Sequence, residues 1–411
     1  MSRLVDRAVP SRLGSPFRWL LASSWLTNLG DGIAAAAGPL LVAALTDEPF
    51  LVSMAALLRW APPMVFGLYA GVLSDRLDRR RIVLVANAVR FLVLLGLVAA
   101  LATDRLTVAG ALIGLGLLAT AEVFADNTTA TLTPMLVPRA DLAIANARTQ
   151  TGFLTLNQLA GPPIGAALFA AGWVWPFVAE TVLIVAALLL LARLTLPPAT
   201  PSARASVWQD VRAGFAWTIR HAAVRTLVLT ILIFNFTFGA AWSVLVLYAS
   251  ERLGLGAIGF GLMTAASAVG GLLGTALYGW ITARVSLGNV MRAGLILETL
   301  THLALAVTTS APVALAIFFV FGAHAFIWGT TSITVRQRAV PEALQGRVTS
   351  VNTICVYGGL VVGSVIGGTL ATNFGVTAPF WFAFAGSAAF VVLLWRSMTS
   401  IAHADSDAAS V

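Results

Sequence analysis

The chain has 411 residues, of which 59% are hydrophobic and 10% charged, whereas a soluble globular protein carries about 25% charged residues. Its mean hydropathy is +0.90; a water-soluble fold cannot bury that much apolar surface, which excludes a soluble enzyme or nucleic-acid binder. The net charge of +8 comes from arginines scattered between long apolar runs, so they form no basic face for nucleic acid.

All 25 basic residues are arginine. Without lysine there is no phosphate-binding Walker loop and no Schiff-base chemistry. The single cysteine, Cys355, excludes internal disulfides and cysteine metal sites. His221, His302, His324 and His403 lack metal-ligand spacing. No metal and no cofactor are expected.

Twelve apolar runs reach the roughly 20 residues a membrane helix needs. They lie near 18–45, 51–73, 82–102, 107–134, 143–170, 173–195, 225–249, 257–282, 289–308, 312–335, 343–371 and 376–395. The pattern predicts an all-α membrane protein of twelve transmembrane helices. Residues 1–17 are polar, and the run after them is too long for the apolar region of a cleaved signal peptide, so it reads as a retained first span.

Arginines give the orientation. With both termini in the cytoplasm, 20 arginines lie at or near the inner side and two, Arg105 and Arg252, outside. Arg59, Arg90 and Arg148 fall within spans. The long polar stretch 196–224 separates spans six and seven. Within it Trp208, Val211, Phe215 and Ile219 recur at helical spacing, which suggests an amphipathic helix on the inner membrane surface or a solvated tether.

The two halves repeat. Gly71-Val72-Leu73-Ser74-Asp75-Arg76 after span two is answered 208 residues later by Gly279-Trp280-Ile281-Thr282-Ala283-Arg284. Val137-Pro138 returns as Val340-Pro341 after 203 residues, and Gly161-Pro162-Pro163-Ile164-Gly165 as Gly363-Ser364-Val365-Ile366-Gly367 after 202. The expected organisation is a six-helix half over 1–195, a linker over 196–224, a second six-helix half over 225–398 and a disordered tail over 399–411. Parallel repeats of this kind place a substrate path at their interface.

With that topology, Gly71 to Arg80 resembles the loop motif of the major facilitator superfamily, Gly-x-x-x-Asp-Arg-x-Gly-Arg-Arg, with Asp78 at the second glycine. Gly161-Pro162-Pro163-Ile164-Gly165 is similar to the span-five motif of drug–proton antiporters. Leu29-Gly30-Asp31 and Asn146-Ala147-Arg148 resemble the subgroup of macrolide and enterobactin exporters. The resemblance implies the major facilitator fold, two pseudo-symmetric halves in the bacterial inner membrane, and a single working chain. It also implies proton-driven efflux of a hydrophobic or amphiphilic small molecule by alternating access. An importer or facilitator on the same fold, or a non-transporting signalling protein, remains the alternative.

The family likeness assigns Gly71, Asp75, Arg76, Arg79 and Arg80 to a conformational latch: Asp75 would meet a helix N-terminus on the cytoplasmic side. The repeat copy carries Ala283 there, and a topology signal alone would not need the carboxylate. Gly161, Pro162, Pro163 and Gly165 should kink span five.

Carboxylates inside a membrane are costly, at roughly 2.5–3.5 kcal/mol each on insertion scales. Asp31 lies near mid-depth in span one; Glu122 and Asp126 lie one turn apart on one face of span four. A carboxyl group that takes and releases a proton on alternate sides is what proton-coupled exchange needs; such groups equally attract a cationic substrate. Arg59 and Arg148 are candidate counter-charges, whereas Arg90 and Glu180 read as snorkelling or structural. His324 in span ten suits proton relay, and Glu298 with His302 reads as a structural pair in span nine. Phe236 and Trp242 in span seven, with Phe321 and Trp328 in span ten, suit an aromatic cavity for large amphiphiles.

Overall fold

The computed structural model describes residues 11–194 and 207–395. The tail 399–411 and residues 196–206 of the linker lie outside the described residues. Every regular element among them is helical, as a membrane requires of a chain that must satisfy its backbone groups within each segment. The main elements are α1 (Gly14–Leu45), α2 (Pro49–Arg76), α3 (Arg79–Ala102), α4 (Val108–Leu136), α5 (Leu142–Gly152), α6 (Gly161–Ala171), α7 (Trp175–Ala192), α8 (Val207–Arg220), α9 (Ala222–Trp242), α10 (Ala257–Thr282), α11 (Leu287–Val307), α12 (Ala311–Ala339), α13 (Gln345–Phe374) and α14 (Ala378–Leu394). Among the described residues, ten helices are long and apolar enough to cross a membrane.

Local chemistry sets the joints. Asp78 sits before α3 with φ −61° and accepts a hydrogen bond from the Arg81 N–H at 3.2 Å. That is an ordinary helix cap, and it needs no positive φ, which explains why Asp78 serves where the loop motif has glycine. Between α5 and α6, Phe153–Ala160 is wound as a π-helix. The expected kink at Gly161-Pro162-Pro163 therefore appears as a widened turn ahead of the prolines, which lack the N–H groups that a regular α-turn needs from them.

The helices sort into two compact units. One holds residues 11–46 and 65–194, the other 47–64 and 207–395. The first part of α2 thus clusters with the second unit, where Trp60 meets Tyr357 of α13 with ring centroids 6.2 Å apart. The linker helix α8 belongs there too: Asp210 pairs with Arg347 at 2.8 Å, and Trp217 packs against the apolar cluster of Val224, Val348 and Val351.

Each unit repeats one packing scheme. In the first, α1 packs on α6 and α7, and α3 on α4 and α7. In the second, α9 packs on α13 and α14, and α11 on α12 and α14. The duplicated glycine motif sits at the same joint in both. A Cβ at Gly161 or Gly165 would strike the backbone of Gly32 or Ile33 in α1, and one at Gly363 or Gly367 the backbone of Phe236 or Ala240 in α9.

Candidate functional site

The site is built in the first unit around α1. Asp31 lies inside it at 5% exposure. Its neighbour Gly30 has no side chain, which leaves room for Glu180 of α7: a Cβ at position 30 would come within 3.1 Å of the Glu180 Cγ. Between these two acids stands Arg90 of α3, the largest fully buried side chain among the described residues. Its Nη2 donates to Asp31 Oδ1 and to Glu180 Oε1, the latter at 3.2 Å. Arg90 Nε and Nη1 and Glu180 Oε2 make no hydrogen bond among the described residues. The counter-charge of Asp31 is therefore Arg90, which the sequence reading took for a snorkelling or structural group, together with Glu180.

Arg148, one of the expected counter-charges, lies in α5, where its backbone oxygen accepts from the Trp25 indole at 3.2 Å. The Arg59 guanidinium, in the part of α2 that belongs to the second unit, stands over the Trp60 ring at 5.3 Å.

Span-four acids complete the cluster. Glu122 is half-buried and Asp126 exposed, and a carboxylate oxygen from each of Asp31, Glu122 and Asp126 lies within 4.8 Å of the others. At that spacing two ionised carboxylates repel by about 3 kcal/mol at an effective dielectric of about 20. Four acids, with Glu180, share one guanidinium. The arrangement favours taking up positive charge, and an all-oxygen donor set suits protons or a hard cation. Asp126 also lines a cavity of about 190 Å³ between α1, α4 and α5, with Phe17, Ser24, Asn28, Thr133 and Gln150 in its wall. The wall is mostly apolar, and its polar groups come from residues toward the cytoplasmic ends expected for spans one, four and five.

The loop residues tie helix ends within this unit. Arg79 Nε donates to the Ser74 carbonyl at 2.9 Å, and its Nη1 contacts Met135 Sδ of α4. Arg80 Nη2 donates to the Ala192 carbonyl at 2.6 Å, at the last turn of α7, where a cation also meets the negative helix end. The side chain of Asp75 lies outside the described residues.

The second unit places the remaining candidates in its packed interior. Trp242 stacks on Phe238 with centroids 4.3 Å apart and meets Phe321 and Phe318 with tilted rings at 4.7 and 5.6 Å. Phe236 stands edge-on to Phe382 at 5.6 Å, and Trp328 packs where a side chain at Gly294 would lie. Trp242 and Phe321 thus pack on one another. His324 is 6% exposed and edge-on to Phe321; His302 is fully buried and edge-on to Trp242. Among the described residues no hydrogen bond reaches a ring nitrogen of either histidine, so the expected pairing of His302 with Glu298 is not made.

Comparison with known proteins follows the same lines. The family model described as "Transmembrane secretion effector" matches residues 10–410. The enterobactin exporter EntS of Shigella boydii serotype 4 (strain Sb227) is 27% identical over 363 residues, 86% of this chain and 85% of that one. The multidrug efflux pump Tap of Mycolicibacterium fortuitum is 26% identical over 385 residues, 89% of this chain and 91% of that one. The solved structure of a bacterial homologue of the iron transporter ferroportin, in an inward-facing state, superposes with a TM-score of 0.72 at 17% identity. The superposition covers 94% of this chain and 98% of that one, and it speaks to the fold alone.

Proposed function

We propose a proton-coupled efflux role for this chain, which belongs to the transmembrane secretion effector family of the major facilitator superfamily. It is a multi-pass membrane transporter and not an enzyme. Taking the interrupted helix of α5 and α6 as span five and α14 as span twelve completes twelve spans, with both termini cytoplasmic and the protein in the inner membrane.

The observation that carries the coupling is the convergence of Asp31, Glu122 and Asp126 within 4.8 Å, with Asp126 lining a cavity whose wall also holds Ser24, Asn28, Thr133 and Gln150. Protons taken up there remove the mutual repulsion; their release restores it. Arg90 holds Asp31 and Glu180 in place, while Glu122 and Asp126 exchange protons and meet the cargo. The cargo is a hydrophobic or amphiphilic small molecule, in keeping with the named substrates of the exporter relatives. One charge moved through 100 mV supplies about 2.3 kcal/mol, enough for a cargo gradient of more than tenfold. Asp75, with Gly71, Arg76, Arg79 and Arg80, serves as the latch released on each cycle.

The test is accumulation of ethidium and of enterobactin in cells with and without the protein. Export should collapse with a protonophore, and Asp126→Asn should reduce it more than about tenfold at unchanged protein level, the loss expected when a proton-exchanging group is removed. Protonophore-resistant export, or full export by Asp126→Asn, overturns the proposal.

A further inference from the structure

The two units differ where their second and fourth helices meet. In the second unit, α10 and α12 are in close contact: a Cβ at Gly270, Gly274 or Gly322 would strike the backbone of the facing helix. In the first unit, α2 carries Gly67 and Gly71. A side chain at Gly67 or Gly71 would meet nothing within 4 Å. Helices α2 and α4 meet at Phe66 and Phe124, with ring centroids 6.0 Å apart, and nearer the Leu77–Asp78 turn they flank a groove against α3.

That groove has a volume of about 580 Å³, within the roughly 300–1,000 Å³ of small-molecule sites. Its walls include Leu77, Val85, Val89, Leu117 and Phe124. Leu77, Val85, Val89 and Leu117 are 40% or more exposed, so the groove opens sideways. Its one hydroxyl in the wall, Thr120, already donates to the Gly116 carbonyl at 2.7 Å, and the wall asks for no hydrogen bond from an occupant. The mouth is different. Arg81 lines it with its side chain 86% exposed, held by one loose pairing with Asp78 at 3.8 Å.

A charged mouth at the end where arginines mark the cytoplasmic side, and a dry apolar wall running toward mid-membrane, match one chemistry. We propose that this groove binds an anionic phospholipid of the inner leaflet, its phosphate on Arg81 and an acyl chain along Val85, Val89 and Leu117. The site does not depend on the efflux reading.

Native mass spectrometry of the full chain in detergent tests it, with titration of dioleoyl phosphatidylglycerol or dioleoyl phosphatidylcholine. The protein should retain the anionic lipid preferentially. Arg81→Gln should lower that retention about fivefold, the worth of one arginine against an anionic leaflet, and leave the zwitterionic lipid unchanged. Val89→Trp, which fills the groove, should lower retention of both. Leu92→Trp places the same ring on the exposed surface of α3 outside the groove and should change neither. Wild-type retention of both lipids by Val89→Trp, or of the anionic lipid by Arg81→Gln, overturns the proposal. Loss with Arg81→Gln alone would mean attraction to the surface and no seated chain, and overturns it equally.

Discussion

The two units share a packing scheme and differ in what fills it. By the 203-residue interval of Val137-Pro138 and Val340-Pro341, Glu122 and Asp126 answer to Ala325 and Gly329, and His324 and Trp328 each stand one residue before those positions. At mid-length of the fourth helix the first unit carries two acids that converge on Asp31, and the second carries His324, edge-on to Phe321, and Trp328, beside Gly294. Polar groups in a membrane interior persist where they have a use. The contrast sets converging carboxylates in the first unit against two buried histidines in the second, His302 and His324, whose ring nitrogens make no hydrogen bond among the described residues.

The sharpest way to break that contrast is to remove the guanidinium. Arg90→Gln leaves Asp31 and Glu180 buried against each other without their shared donor. Breaking a buried ion pair from one side costs about 3–5 kcal/mol. The variant should therefore lose much of its folded population, with a large fall of the thermal midpoint in detergent. Asp31→Asn, which leaves Arg90 paired with Glu180, should fall less, and adding it to Arg90→Gln should recover part of the loss. Equal midpoints for wild type and Arg90→Gln would show that the charges are not the keystone of this unit.

A second test asks whether the joints are as alike as the cores are different. A side chain at Gly165 would strike the Ile33 carbonyl, and one at Gly367 the Ala240 carbonyl. Gly165→Val and Gly367→Val should each cost about 1–3 kcal/mol by overpacking, read as similar falls in thermal midpoint. A loss in one unit alone would mean that the repeat in sequence is not a repeat in energetics.

Much of this was legible in the sequence. The glycine repeat located equivalent joints because close helix approach demands glycine at fixed intervals, and the spacing of Glu122 and Asp126 placed both on one face of α4. What failed was depth and neighbourhood. Arg90 lies near the middle of α3, yet a run counted from residue 82 makes it look closer to the membrane edge than it is. Glu180 begins near one end of α7 and reaches Arg90 because Gly30 leaves space beside it. Neither contact follows from periodicity along one helix; both depend on which helices adjoin. The contact of Trp242 with Phe321, at 4.7 Å between ring centroids, likewise joins two helices and is not visible along either one.

The smallest expected effect comes from the histidines of the second unit, and it has the opposite sign. His302 is fully buried, and neither ring nitrogen is hydrogen-bonded. An unpartnered buried polar group costs about 1–3 kcal/mol, so an apolar ring of similar shape should relieve it. His302→Phe keeps the edge-on contact with Trp242 and should raise the thermal midpoint modestly, by the equivalent of about 1 kcal/mol, with ethidium export unchanged. Because His324 lies on the neighbouring helix α12, His324→Phe should behave alike, and the pair together should add. A fall in export at a raised midpoint would move part of the ion chemistry into the second unit. The difference between the units would then be one of residue type alone, with imidazoles doing in one what carboxylates do in the other.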